Sequence, residues 1–129
     1  MPGDAKRIEA DKLRMAMGKS SSLQKALLGS VHKFLNQTSN TALSNGTATV
    51  EERLARWLLM ANDRLKGDEV PLTHEFLSLM LGVRRAGVTV ALHYLEQRAL
   101  LNLSRRKIVI TERKGLQAAA NGCYHQPEK

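Results

Sequence analysis

The chain has 129 residues, enough for one domain or for a small domain with an extension. Hydrophobic residues make up 43% of it but aromatic residues only 4%, so leucine, valine, alanine and methionine must fill the core. The net charge of +8 favours a polyanionic partner, and the single cysteine excludes an intrachain disulfide and suits a reducing cytoplasm.

No targeting or membrane signal stands out in the sequence. Residues 1–4 are polar and lack the apolar core of a signal peptide. The longest purely apolar run, residues 57–61, is far too short to cross a bilayer. We therefore expect a soluble protein of the cytoplasm with no membrane partner.

The first 45 residues predict two helices, over residues 5–17 and 22–43, separated by a break at 18–21. The apolar positions of the second helix step by three or four residues, which suits a helix that packs lengthwise on another. A helix of this length is marginal alone in water. It either packs within its own domain or pairs with a second copy, and both alternatives are open. The positions for pairing are Leu23, Leu27, Val31, Phe34 and Thr38.

A scaffold helix is predicted to follow a hinge at residues 44–47, where Asn-Gly is a strong turn signal. Thr49 and Glu52 form a capping box at its start, and Gly67 closes it as a C-cap. Its apolar side, which includes Trp57, should be core. The polar positions expected on or near the opposite side are Arg53, Arg56, Asn62 and Lys66.

Residues 72–92 have the layout of a helix-turn-helix. Thr73 is placed to cap the first helix, and Gly82 supplies a left-handed residue for the turn. The second helix, predicted over about residues 84–100, repeats the apolar stripe and is basic in its first turn. Because the second helix of this motif enters the major groove of DNA, the sequence predicts a recognition helix here.

The apolar period changes after residue 101. Two short strands are predicted, at residues 102–104 and 107–111, and they form a β-hairpin, or wing, joined at Arg105-Arg106. A last small helix and a polar tail follow. The predicted fold is mainly α with a small β-hairpin: a winged helix-turn-helix domain over residues 46–124, preceded by N-terminal helices in residues 1–45, of which the longer one packs or pairs, and followed by a tail, 125–129.

Positive charge is concentrated in the predicted DNA-binding region. Eight Lys or Arg residues and two Glu residues lie between Arg84 and Lys114, so this segment carries six of the eight net charges. Arginine binds the O6 and N7 atoms of guanine through two hydrogen bonds, which makes Arg85 a predicted base reader and Arg84 a base or phosphate contact. The other candidates for DNA contacts are Thr73, His74, Thr89, Val90, His93, Ser104, Arg105, Arg106 and Lys107.

Enzymatic and metal-binding functions find little support. His32, His74, His93 and His125 share no metal-ligand spacing with one another or with Cys123. The sequence has no phosphate-binding loop and no grouping of a nucleophile with a base. We expect no catalytic activity, no cofactor and no metal site.

Residues 53–60, followed by 72–90, closely resemble the C-terminal half of Crp/Fnr-family bacterial transcription regulators. The wing and the segment after it also look like that family, and the resemblance covers about residues 20–124. It implies a homodimer that binds a palindromic site in double-stranded DNA through its winged helix. It also implies that residues 22–43 are the dimerisation helix, and it makes RNA polymerase a candidate partner.

The sequence departs from that family in two respects. The family places an effector-binding β-roll ahead of the dimerisation helix, and nothing before Ala5 could encode it, so we expect a fragment, a truncated product or a naturally sensorless regulator. No nucleotide, haem or iron–sulfur site is therefore implied. Ala86 and Val90 stand where better-known members place an acidic base reader and a second arginine, so a different operator is expected.

A second hypothesis is an interaction protein. Such a protein would pair with full-length relatives through residues 22–43 or bind nucleic acid without sequence preference. Selective retention of a palindromic site under competitor DNA supports the first hypothesis, and uniform loss of binding supports the second.

Overall fold

The computed structural model describes residues 4–65, 67–104 and 107–125. In that part of the chain the fold is mainly helical with a small sheet, as predicted, and it divides into two compact units, Met1–Thr41 and Ala42–Lys129. The elements are α1 (Ala10–Lys19), α2 (Ser21–Thr47), α3 (Val50–Asn62), β1 (Glu69–Val70), α4 (His74–Leu81), α5 (Arg85–Gln97), β2 (Leu101–Ser104), β3 (Lys107–Ile110) and α6 (Arg113–Ala119).

The first unit consists of α1 and most of α2, and none of its described residues, 4–41, is buried. The start of α1 lies five residues later than predicted, because Glu9 has an extended backbone and precedes the first helical turn. The predicted four-residue break narrows to Ser20. The Ser20 hydroxyl oxygen accepts the N–H of Leu23 at 3.2 Å, which is the contact of an N-cap, so α2 begins at once.

α2 continues through the predicted hinge. The hinge at residues 44–47 was wrong, since the helix ends at Thr47 and two residues separate it from α3. The Thr47 hydroxyl donates to the carbonyl of Leu43 at 2.9 Å, and the N–H of Ala48 donates to the carbonyl of Ser44 at 3.0 Å. Ser44 is buried, so local packing overrides the turn preference of Asn-Gly.

The start of α3 confirms the predicted capping box, but its end does not match the prediction. The Thr49 hydroxyl accepts the N–H of Glu52 at 3.3 Å, and the Glu52 carboxylate accepts the N–H of Thr49 at 2.8 Å. The helix ends at Asn62 rather than at Gly67. Gly67 is left-handed, with φ of +93°, but it lies in the loop beyond, where its carbonyl accepts from the Asn62 amide at 2.9 Å.

The second unit has one hydrophobic core, built from α3 to α6 and the sheet. Burial of each large apolar side chain in this core contributes about 1.5–3 kcal/mol to the free energy of unfolding. α3 packs against α4, α5, α6 and β1, so polar residues on more than one of its sides are covered. Arg56 and Asn62 are therefore buried, contrary to the prediction, and Trp57 is half-buried against the core. The largest fully buried side chains are Leu54, Leu58, Leu59, Leu77, Leu92, Leu95, Ile108, Leu116, Val70 and Val88.

The sheet has three strands among the described residues, in the order β1-β3-β2. β2 and β3 form the predicted hairpin, with Leu101 opposite Ile110. β1 adds to the other edge of β3, with Val70 opposite Ile108, which was not predicted. A residue before proline avoids the helical region, so Val70 before Pro71 is extended, which allows this short strand to pair.

Arg113 joins the end of α3 to the start of α6 and to the C-terminal segment. Its guanidinium donates to the Asn62 side-chain oxygen, to the Asp63 carboxylate at 2.5 Å and to the Tyr124 hydroxyl oxygen at 2.9 Å. The Tyr124 hydroxyl donates to Asp63 at 2.8 Å. Burial and the adjacent Asp63 carboxylate raise the pKa of Tyr124 to about 12.

Arg113→Ala is expected to lower the free energy of unfolding by about 1–3 kcal/mol, because three polar groups lose their common donor. Denaturant unfolding followed by circular dichroism measures the change. Lys114→Ala is the matched control on the same helix, where the side chain is exposed, and it should change stability by less than about 0.5 kcal/mol. Equal losses in the two variants would show that the Arg113 contacts contribute nothing specific.

Candidate nucleic-acid interface

α4 and α5 form the predicted helix-turn-helix. The Thr73 hydroxyl oxygen accepts the N–H of Phe76 at 3.2 Å and caps α4, as predicted. Gly82 ends α4 in the left-handed region, with φ of +63°, which confirms its predicted place in the turn. The axes of the two helices differ by 107°. This angle falls within the range typical of helix-turn-helix motifs, which is about 90–120°.

The apolar sides of both helices belong to the core. Leu77 and Leu81 of α4 are buried, as are Val88 and Leu92 of α5.

No single helix in the described part of the chain is long and apolar enough to cross a membrane. Taken together, α4 and α5 reach that length and apolarity, but they are bent by 107°.

α5 is shorter than the predicted recognition helix. It begins at Arg85, with Arg84 in the N-cap position, and ends at Gln97 rather than at residue 100. The helix stops because Ala99 adopts a left-handed conformation, with φ of +56°, and its N–H bonds to the carbonyl of Glu96 at 2.8 Å. Arg84 and Arg85 are both exposed at the helix N-terminus, where the helix dipole adds to their positive potential.

His74 joins α4 to α5. Its Nδ1 atom lies 3.0 Å from the Thr89 hydroxyl oxygen. That hydroxyl donates its single proton to the Arg85 carbonyl at 3.1 Å. His74 must therefore donate through Nδ1–H, which places the lone pair of the neutral ring on Nε2. Burial lowers the pKa of His74, and the positive charges of Arg85 and His93 lower it further.

Stability should fall as the pH decreases, in part through His74. Its pKa in the folded protein lies below the unfolded value of about 6.5, so the unfolded chain binds more protons and gains relative stability as the pH falls through that value. In His74→Gln this part of the decrease should be absent. Unfolding free energies at pH about 7.5 and about 5.5 measure the difference. His32→Gln, which replaces an exposed histidine, is the control, and a parent and His74→Gln with the same pH dependence would contradict the expectation.

The predicted wing contacts lie at the described ends of the hairpin. Ser104 is exposed at the end of β2 and pairs in register with Lys107 of β3. The Lys107 ammonium bonds to the Glu69 carboxylate of β1 at 2.7 Å, so part of its charge is compensated within the sheet. Arg105 and Arg106 lie outside the described residues.

Two side chains that position the motif were missed by sequence reasoning. The Glu96 carboxylate accepts the N–H of Leu103 at 2.9 Å and lies 3.3 Å from His93 Nδ1, which ties α5 to β2. The Leu103 bond and, less strongly, His93 lower the pKa of Glu96. Arg53 donates to the carbonyl of Leu81 at the end of α4. The three-residue spacing of His93 and Glu96 signals their pairing. The contact of Glu96 with Leu103 joins a helix to the next strand, and that of Arg53 with Leu81 spans 28 residues, so neither follows from helical spacing.

The described residues were also searched for metal-ligand groups and reactive cysteines. Residues 4–65, 67–104 and 107–125 contain no group of three or more His, Cys, Asp or Glu side chains placed to hold a metal ion. Cys123 is half-buried with a free thiol. The arrangement that the structure does build is a helix-turn-helix with a basic N-terminus on its second helix.

Residues 52–119 match the model of a protein family described as the Crp-like helix-turn-helix domain. The match covers more than half of the chain. The chain belongs to this family. Domains of this family are the DNA-binding domains of transcription regulators of the Crp/Fnr type, a class of protein that is ordinarily not enzymatic.

Solved structures of Crp/Fnr-type regulators share the fold. FixK2 from Bradyrhizobium japonicum aligns with a TM-score of 0.78 at 22% identity, over 94% of this chain and 61% of that one. A CooA mutant from Carboxydothermus hydrogenoformans aligns with a TM-score of 0.72 at 17% identity, over 87% and 55%. A CRP-family transcriptional regulator from Thermus thermophilus gives 0.69 at 17% identity, over 82% and 57%. The chain thus spans less than two thirds of each of these proteins. A comparison with curated protein sequences found no match.

Proposed function

We propose that this protein is a sequence-specific regulator of transcription that binds double-stranded DNA as a homodimer in the cytoplasm, with α5 in the major groove. The observation that carries this proposal is the exposed pair Arg84 and Arg85 at the start of α5. The contact between His74 and Thr89 holds that end of the helix against α4, so the backbone that carries the two arginines is fixed in position. Each good bidentate contact between an arginine and guanine discriminates against a wrong base by about 1–3 kcal/mol.

Phosphate contacts are proposed at the start of α4. The Thr73 hydroxyl accepts the N–H of Phe76, so its own proton is available to donate to a phosphate oxygen. A helix N-terminus favours an anion through its free N–H groups and its dipole. His93 is a further candidate for a contact with the DNA backbone. His74 is a candidate in its protonated form, which can donate through Nε2–H to a phosphate. Thr89 donates its hydroxyl proton to the Arg85 carbonyl, so it is a candidate through its methyl group.

Contacts from the wing are proposed at the end of the β2–β3 hairpin. Ser104 and Lys107 mark its described ends, and Arg105-Arg106 connects them in the sequence. Such a basic tip would meet phosphates or the minor groove beside the recognition site. These contacts carry affinity more than sequence preference.

The homodimer is proposed to form through α2. Leu23 and Leu27 are half-buried, whereas Val31 is 54% exposed and Phe34 is 67% exposed. The Thr38 hydroxyl donates to the carbonyl of Phe34 at 2.9 Å and is satisfied within its own helix. Large apolar side chains repeated along one helix face suit a second copy of the same helix, related by two-fold symmetry.

Gel shifts with genomic DNA fragments under rising competitor DNA test the proposed function. The parent should retain a small set of fragments that share a palindromic sequence, while the double variant Arg84→Ala/Arg85→Ala should lose that selectivity. Uniform loss of all fragments from the parent would instead support a non-specific nucleic-acid-binding or interaction protein. RNA polymerase is the candidate protein partner that a role in transcription implies.

A further inference from the structure

α5 carries an apolar strip at the position that faces farthest from the core. Successive residues of a helix turn by about 100°. Ala86 and Val90 are each two residues from the fully buried Val88, so each lies about 160° around the helix from it. Both are exposed, and Val90 is 65% exposed. The outermost ridge in the first two turns of α5 is therefore formed by methyl groups.

Arg85 and Thr89 lie to one side of this strip. Arg85 is about 100° from Ala86 around the helix. It lies on the side of Thr89, whose hydroxyl contacts His74 of α4. With α5 in the major groove as proposed above, Arg85 would reach the bases from the flank of the helix, whereas Ala86 and Val90 would face them directly.

The groove offers this strip one kind of partner. The edges of the bases in the major groove are hydrogen-bond donors and acceptors, apart from the C5-methyl group of a pyrimidine. Ala86 and Val90 can neither donate nor accept, so this methyl group is the one feature they can favour. A purely apolar protein partner fits less well, since it would have to desolvate the guanidinium groups of Arg84 and Arg85 beside the strip.

We propose that Ala86 and Val90 recognise the C5-methyl group of a pyrimidine in the major groove, within about two base pairs of a guanine bound by Arg85. The spacing follows from the rise of about 6 Å between Ala86 and Val90 along the helix. This inference rests on the proposed function. Thymine and 5-methylcytosine both carry the methyl group.

Base substitutions that add or remove one methyl group in the DNA test the inference. On a palindrome that the parent binds selectively, each thymine is replaced in turn by uracil, which lacks only the methyl, and each cytosine by 5-methylcytosine, in both half-sites. At one position the methyl should tighten binding about fourfold for each half-site, the effect expected from burying one methyl group. A loss with uracil identifies thymine as the partner, and a gain with 5-methylcytosine identifies the modified base.

Protein variants then assign the effect to α5. Val90→Ala keeps Ala86 and one methyl group at position 90, so the methyl effect should fall to about half of its parental value or less. In Arg85→Ala it should persist at a lower overall affinity, as in a double-mutant cycle. No methyl-sensitive position in the parent, or the same sensitivity in Val90→Ala, overturns the inference. If the parent shows no preference for any duplex, the inference and the proposed function fall together. A selective parent without methyl sensitivity contradicts the inference alone.

Discussion

Arg85→Ala is expected to weaken binding to the preferred palindrome by about 1–3 kcal/mol for each half-site and to relax the preference at one base pair. The guanidinium is exposed at the first residue of α5, and the backbone carbonyl of Arg85 is fixed by the Thr89 hydroxyl at 3.1 Å. Loss of a side chain that reads a base removes discrimination as well as affinity. Fluorescence anisotropy titrations of the preferred and a scrambled duplex measure both.

Lys107→Ala is the control for a general electrostatic contribution. It should weaken binding to both duplexes alike, because a phosphate contact carries no sequence information. The slope of the logarithm of the binding constant against the logarithm of the salt concentration should become shallower by about one. If Arg85→Ala weakens both duplexes equally, Arg85 binds a phosphate. If it weakens neither, Arg85 does not contact the DNA. Arg84→Ala, measured beside it, decides between a base and a phosphate contact for Arg84.

Val31→Asp is expected to convert a dimer into a monomer at micromolar concentration. The substitution places a charge in the middle of the proposed apolar seam, and an unpaired buried carboxylate costs several kcal/mol. Because two half-sites must be bound together, binding to the palindrome should fall by about 100-fold or more. Sedimentation equilibrium measures the first effect, and anisotropy titration measures the second.

Asn36→Asp is the matched control for this variant. It adds the same single charge to α2 at a position about 140° around the helix from Val31. Asn36 is exposed and bonds to His32 of its own helix at 3.0 Å, so the control should leave the dimer intact. A Val31→Asp protein that still sediments as a dimer would place the seam elsewhere, and a monomeric parent would contradict the dimer.

Local signals predicted the elements whose ends are fixed by residues near in sequence. The capping box of Thr49 and Glu52, the cap by Thr73 and the left-handed Gly82 are all short-range contacts, and each was found. The hinge at residues 44–47 failed because Ser44 is buried, and burial depends on the packed second unit. Strand β1 was missed because two residues have no periodicity of their own and are held by β3.

The same distinction applies to the candidate interface. Arg84 and Arg85 could be predicted because a basic first turn after a helix-turn-helix signal is visible in the sequence. The contact of His74 with Thr89 spans two helices, so the sequence suggested a phosphate contact for His74 but not its positioning of α5. The burial of Arg56 also depends on neighbours distant in sequence, which the pattern of α3 alone does not show.

In-vitro selection of binding sites from random duplexes is the most direct test of sequence-specific binding as a homodimer. The proposal predicts enrichment of a two-fold symmetric sequence whose half-sites contain a guanine, with centres about one helical turn apart. Enrichment should disappear with Arg84→Ala/Arg85→Ala, and Val31→Asp should recover at most a single half-site. A parent protein that enriches no sequence would contradict sequence-specific binding, and one that enriches a single asymmetric element would contradict the symmetric dimer.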